Sequence, residues 1–338
     1  MNDSDRIDGL SEKALSQLQT VKKSLKSIND QFKQASGEEA LDSADEGIKR
    51  IDEEDAGKCT EEYREFLNIM VAENISLRIV SGDVRKGIGL CYYRLQEWQK
   101  AVDELLTYME DDPGDTEALF SIASCYQKLK NHKKAAEYFE GVIKIDAQNP
   151  AAFCNWGVAL KHLYNNTRDV DCLRQAIEKY KRAAEIKPNY YDAVHNQATA
   201  LEDLHIETKE LDYLRESIKK YEQAIEIKPD FSQPHFNFSS ALIYLFHALQ
   251  EPAILDDALK HGYRVIELDP QDRNIYYNIA CAYSLKEMKA QMMEALEKAI
   301  ESDGVHKKMA RQDRDLAKYH DDPDFITLTE EDDADITR

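Results

Sequence analysis

Apolar side chains return at intervals of three and four along most of the chain, the spacing that puts them on one face of a helix. The stripes come in matched pieces. "AIEKYKRAAEIKPN" ends at Asn189, "SIKKYEQAIEIKPD" at Asp230 and "ALKHGYRVIELDPQ" at Gln271. Each closes on a proline, and Pro188, Pro229 and Pro270 lie 41 residues apart. Proline has no N–H to give and its ring clashes with the preceding turn, so each predicts a helix end. Upstream, "AVDELLTYMEDDPG" ends at Gly114, and "AAEYFEGVIKIDAQ" repeats it 34 residues later at Gln148. The pattern predicts six helix–turn–helix units, 82–115, 116–149, 150–190, 191–231, 232–272 and 273–306.

In register, these units agree at several columns. The eighth holds Gly89, Ala123, Gly157, Ala198, Ser239 and Ala280, all small. The twentieth holds Ala101, Ala135, Ala176, Ser217 and Ala258, with Met292 departing in the last unit. The eleventh holds Tyr92, Tyr126, Leu160, Leu201, Leu242 and Tyr283. This resembles the tetratricopeptide repeat, in which a small eighth residue lets the two helices of a unit approach. The resemblance implies an all-α fold, a right-handed superhelical solenoid. Three units carry seven added residues, about two helical turns, between the eleventh and twentieth columns. One extra turn on each helix keeps both faces in phase, with chain reversals near 165–169, 206–210 and 249–253.

Residues 1–81 read as an N-terminal helical extension, coiled-coil-like in part. Leu18, Val21, Leu25, Ile28, Phe32 and Ala35 follow heptad spacing, and Tyr63, Phe66, Leu67, Met70, Val71 and Ile75 make a further stripe. This segment either caps the first repeat, joins copies into a homo-oligomer, or meets a partner helix. After Gly304, "ARQDRDLAKYHDDPDFITL" resembles the closing segment of bacterial tetratricopeptide arrays, so 307–338 reads as a cap and acidic tail. Leu316, Tyr319, Phe325 and Leu328 would cover the last repeat.

The 338 residues carry 44 Lys and Arg against 65 Asp and Glu, a net charge of −21. That balance argues against nucleic acid and against an anionic membrane surface. No signal peptide opens the chain and no apolar run is long enough to span a bilayer, which reads as a cytoplasmic protein. The six cysteines are scattered without a C-x-x-C pair, and no two histidines stand at i, i+4. No phosphate loop, dinucleotide fingerprint or zinc-protease motif occurs. The sequence therefore points to no enzyme, no cofactor and no metal.

What remains is the first helix of each unit, which the resemblance places along the concave groove. Its sixth column reads Gly87, Ser121, Asn155, Asn196, Asn237 and Asn278. An asparagine amide offers two donors and one acceptor, a match for a peptide unit. Helix interiors disfavour Asn, so four in register call for a reason. The row resembles the asparagine ladder of O-GlcNAc transferase's repeat region, which implies that an extended segment of another protein is gripped by its backbone. Pockets for its side chains would come from Phe120, His195, Phe236 and Tyr277, joined by Tyr93 and Tyr244 further along their helices. Lys86, Arg94, Lys128 and Lys161 project early in the array, Asp192, Glu202 and Asp203 at the fourth unit, which suits a guest with an acidic end toward the first three units. The chaperone-tail version of the fold uses a Lys/Asn/Asn/Lys/Arg clamp, from which Leu90 and Ala151 depart. The sequence is thus read as a protein-interaction scaffold or adaptor, with self-association through the heptads as the alternative.

Overall fold

The computed structural model describes residues 82–330. The heptad stripe, the other stripes before residue 82 and the end of the tail lie outside them. The described residues form fourteen α-helices in chain order: α1 Gly82–Arg94, α2 Trp98–Met109, α3 Thr116–Lys128, α4 His132–Ile145, α5 Pro150–Thr167, α6 Val170–Ile186, α7 Tyr191–Thr208, α8 Leu211–Ile227, α9 Ser232–Leu249, α10 Pro252–Leu268, α11 Ile275–Leu285, α12 Lys289–Ser302, α13 Val305–Gln312 and α14 Pro323–Thr329. A short 3₁₀ turn, Ala317–Tyr319, precedes the last. The fold is all-α, of the tetratricopeptide solenoid class: each odd-numbered helix up to α11 packs on the even-numbered helix after it. The chain divides after Pro188 into two compact units, the first holding α1–α6 and the second α7–α14.

Helix starts are written into the sequence. Asp115 accepts from the N–H groups of Glu117 and Ala118, Asn131 from Lys134, Asn149 from Ala152 and Asp169 from Asp171. Each satisfies donors that the first turn leaves without partners.

The small columns sit where two helices touch. Gly89, Ala123, Gly157, Ala198, Ser239 and Ala280 are all buried. A Cβ on Gly157 would stand 2.6 Å from Cε1 of Tyr180, whose side chain is fully enclosed between α5 and α6. A Cβ on Gly89 would meet Leu105 Cγ at 2.6 Å. Ser239 shows how a larger residue is admitted: its hydroxyl donates to the carbonyl of Ala258, in the twentieth column of the same hairpin, at 2.9 Å. Met292 takes the place of the last small residue and is nevertheless fully buried.

Two kinds of chain reversal occur. The hairpins α1–α2, α3–α4 and α11–α12 turn through three residues, with Gln96, Lys130 and Glu287 in the middle at φ 60°, 59° and 60°. The N–H three positions past the helix closes back on the eleventh-column carbonyl: Glu97 on Tyr92, Asn131 on Tyr126, Met288 on Tyr283. This is the Schellman pattern. The longer hairpins turn through two residues, with Arg168, Lys209 and Gln250 left-handed at φ 59°, 61° and 57°. Their N–H groups donate to Tyr164, His205 and Phe246 at 2.7 Å, the simpler left-handed cap. In these hairpins the first helix has 18 residues and the second 17, against 13 and 14 in α3 and α4.

Each unit has its own apolar core. In the first, Ala101, Leu105, Ile122 and Phe139 are fully enclosed. In the second, Leu214, Tyr221, Val265 and Leu296 are, and the cap adds Leu316 and Phe325. His235 and His261 pair across α9 and α10 with Nδ1 atoms 2.8 Å apart. One nitrogen must be bare for the other to donate, so the pair holds a single proton between these atoms. Burial, then the neighbouring His235 and Lys260, push His261 down from 6.5 to about 4.

Three outcomes follow. Gly157→Ala forces Tyr180 out of its place and lowers thermal stability by about 1–3 kcal/mol, measured by unfolding monitored by circular dichroism. Lys209→Gly removes a left-handed residue with a side chain and raises stability by about 1 kcal/mol. For His261, the unfolded chain binds a proton from pH 6.5 downward that the folded chain refuses until about pH 4. Stability is therefore lost as pH falls through that window, and His261→Asn has a shallower loss of melting temperature there than the parent.

Candidate functional site

The first helices of the second unit meet side by side, α7 against α9 and α9 against α11. On α7 the half-buried residues Asn196, Thr199 and Asp203 follow three- and four-residue spacing, with His195 and Glu202 beside them. On α9 Asn237, Ser240 and Tyr244 do the same, and Asn278 is half-buried on α11. Three amides thus recur once per first helix in this unit. Asn155, also half-buried, occupies the equivalent column on α5 in the first unit.

Their bonding differs. Asn155 Nδ2 donates to the carbonyl of Ala151 one turn back, at 2.9 Å. Asn237 Oδ1 accepts from Gln233 Nε2 at 3.3 Å, on the same helix. Asn278 Nδ2 is buried without a hydrogen-bond partner. A buried donor left unpaired costs about 1–3 kcal/mol.

The aromatic candidates also divide. Phe120 is half-buried, its ring edge-on to Phe139 with centroids 5.3 Å apart. His195 lies flat beside Tyr191 at 5.6 Å and near Tyr221 at 6.0 Å. Phe236 is half-buried against the second core. Tyr244 lies near His205, ring centroids 6.3 Å apart. Burial first, then Glu202 and Asp315, push its hydroxyl above the ordinary phenol range. Tyr277 is buried, stacks on His306 at 5.2 Å and donates its hydroxyl to Asp313 Oδ2 at 2.9 Å. It faces the cap of its own chain.

Among the cations, Lys86 is engaged: Nζ lies 2.7 Å from Asp115 Oδ2 and 2.7 Å from Glu117 Oε2. Burial alone would lower its pKa, but bonds to the two carboxylates outweigh it and the net shift is upward. Lys86 ties α1 to the start of α3. Arg94 is half-buried at the end of α1, Lys128 exposed in the last turn of α3, and Lys161 half-buried on α5. On the acidic side, Glu202 accepts the Tyr221 hydroxyl at 2.6 Å.

One arrangement has no periodic signal in the sequence. After α13 the segment Asp313–Asp315 lies on the face of α11 that carries Tyr277, Cys281 and Ser284, spaced i, i+4, i+7. The Ser284 hydroxyl donates to the Asp315 carbonyl, and Leu316 just beyond is fully buried. His247, at the far end of α9, brings Nε2 to 2.7 Å from Asp315 Oδ1. The chain's own cap therefore covers the fifth- and ninth-column positions of the last repeat. Burial pushes Cys125 up to about 12, and burial with Asp313 and Asp315 pushes Cys281 well up.

The family model described as "Tetratricopeptide Repeats-Sensor" matches residues 94–201, and "Tetratricopeptide repeat" matches 274–306. Several solved structures are similar to parts of this chain. The C-terminal part of a TPR repeat-containing protein from Cytophaga hutchinsonii is 14% identical over 74% of this chain and 93% of its own, with a TM-score of 0.55. YrrB, described as a TPR protein with an unusual peptide-binding site, is 18% identical over 62% of this chain and 97% of its own, at 0.48. A thermophilic TPR protein of Thermus thermophilus is 18% identical over 60% and 98%, at 0.43. Among the described residues no helix is long and apolar enough to cross a membrane. Two tetratricopeptide models match stretches of this sequence that fold as packed helix pairs meeting through small residues, so the chain carries tetratricopeptide repeats.

Proposed function

We propose that the chain is a non-enzymatic protein-interaction scaffold that holds an extended segment of another protein by its backbone. The observation that carries this reading is the recurrence of a half-buried amide on the adjoining helices α7 and α9, Asn196 and Asn237, with Thr199, Ser240 and Tyr244 along the same faces. Amides and hydroxyls can match a guest's N–H and C=O without reading its side chains. Asn155 presents the same group in the first unit. Asn278 stands next to Tyr277, which is committed to the cap, so the guest's grip in the second unit centres on α7 and α9. In the second unit His195 and Phe236, both half-buried, are the side-chain contacts that add to the backbone bonds. Two net hydrogen bonds supply about 1–3 kcal/mol, which is well short of micromolar binding, so these contacts matter.

The test is the double variant Asn196→Ala with Asn237→Ala, against an extended peptide selected on the parent protein from an unbiased library. Affinity falls roughly 5- to 100-fold while the circular dichroism spectrum and melting temperature stay put. Equal affinity with the fold intact overturns the amide grip.

A further inference from the structure

The chain's net charge is −21, yet residues 118–136 and 150–168 contain no Asp or Glu. Those two stretches carry Lys128, Lys130, Lys133, Lys134, Lys161 and Arg168, with His132 and His162 among them. They meet in the first unit, where α4 packs on α5. There the His132 and His162 rings stack, centroids 4.5 Å apart and planes 17° from parallel. We propose that the α3–α4 turn and the facing end of α5 form a docking surface for an acidic, Asp- and Glu-rich segment of a partner protein.

The shape comes from hairpin height. His132 is the first residue of α4 and His162 the thirteenth of α5, so α5 runs five residues past the level of the turn. The compact hairpin therefore ends in a step against the tall one. Leu129 and Lys130 are exposed on the turn. Asn165 and Asn166, exposed and three and four residues on from His162, share its side of α5. Their amides can donate to carboxylates.

The other compact turns pair their lysines within the chain. Lys100 meets Glu97, Lys286 meets Asp256 at 2.5 Å, and Lys289 meets Asp322 and Asp324 at 2.7 and 2.8 Å. At the α3–α4 turn Lys134 is held by Tyr126, its Nζ 3.3 Å from the hydroxyl and 4.8 Å from the ring centroid. Lys130 and Lys133 are exposed, and among the described residues neither forms an ion pair. His132 Nδ1 is buried with no hydrogen-bond partner, so no group of the chain steadies a proton on it.

Electrostatics fit an anionic guest. Burial first, then His162 and Lys130, hold the His132 imidazole below its ordinary range. Partial desolvation, then Lys161, does the same for His162. An anion on the step opposes both shifts, so binding takes up protons and tightens as pH falls. The step offers separated ammonium groups, which suit a run of carboxylates. A phosphate favours a guanidinium fork, and Arg168 directs its Nη1 to the Tyr164 hydroxyl at 3.0 Å. The net charge of −21 opposes a long polyanion such as nucleic acid more than a short acidic peptide. This surface is separate from the amide face of α7 and α9, which belongs to the second unit.

The test is fluorescence anisotropy of a labelled hexaglutamate peptide with the full chain at low salt, beside hexaglutamine as the uncharged control. Hexaglutamate binds saturably and hexaglutamine does not. Affinity rises as pH falls from about 7.5 to about 6, and the rise is shallower in His162→Gln. Lys130→Glu with Lys133→Glu weakens binding roughly tenfold, with the circular dichroism spectrum and melting temperature unchanged. A glutamate fits at position 130, because Glu287 takes the same left-handed place in the α11–α12 turn. The charge-matched pair Lys219→Glu with Lys308→Glu, on exposed lysines of the second unit, keeps the parent affinity. Undiminished binding by the folded Lys130 and Lys133 variant overturns the proposal, as does an equal loss in the Lys219 and Lys308 control. So does a parent that fails to bind hexaglutamate, or a pH profile that is flat in the parent or unchanged in folded His162→Gln. An oligothymidylate of equal charge that binds tighter than hexaglutamate overturns it in favour of a nucleic-acid surface.

Discussion

The close approach of two helices through side chains of almost no size governs this molecule. At Gly157 there is room for a hydrogen and none for a methyl, because the Tyr180 ring occupies that space. Such contacts bring the helix axes near enough for the flanking leucines and tyrosines to interdigitate at interior density. Neither helix of a pair can bury its stripe alone, and each core is assembled from several hairpins. Where the approach is relaxed, as at Ser239, a hydroxyl bonded to a facing carbonyl fills the gap without stranding a polar group.

Much of the fold was legible because it is periodic. Proline spacing, the small columns and the apolar stripes all return with the unit, so an accidental match in one piece is exposed by the others. Helix ends were legible for a local reason, since Asp115, Asn131, Asn149 and Asp169 cap within their own neighbourhoods. The left-handed residues were not. Gln96, Lys130, Arg168, Lys209, Gln250 and Glu287 are ordinary polar residues in a conformation usually taken by glycine. Their geometry is imposed by the two helices they join.

The face of the first helices was legible as a column and opaque as chemistry. The amide row at Asn155, Asn196, Asn237 and Asn278 could be counted, but not that Asn155 commits a donor to Ala151 or that Asn278 keeps one buried and unpaired. Lys86 looked like a ligand cation until Asp115 and Glu117, on another hairpin, claimed it. Tyr277 looked like a groove aromatic until the cap arrived over it. In each case the deciding partner lies on a different element, beyond the reach of any local pattern.

The seven-residue enlargement of the middle hairpins has an effect at a distance. His247 lies sixteen residues into its unit, whereas the first helix of the compact α3–α4 hairpin has already stopped by its thirteenth. The histidine therefore stands on a stretch of helix that a shorter hairpin lacks, and that overhang is what lets α9 touch Asp315 across from α11. Trimming the unit to standard length would leave its packing columns intact and sever this link, so the height of one hairpin determines whether the end of the array is latched.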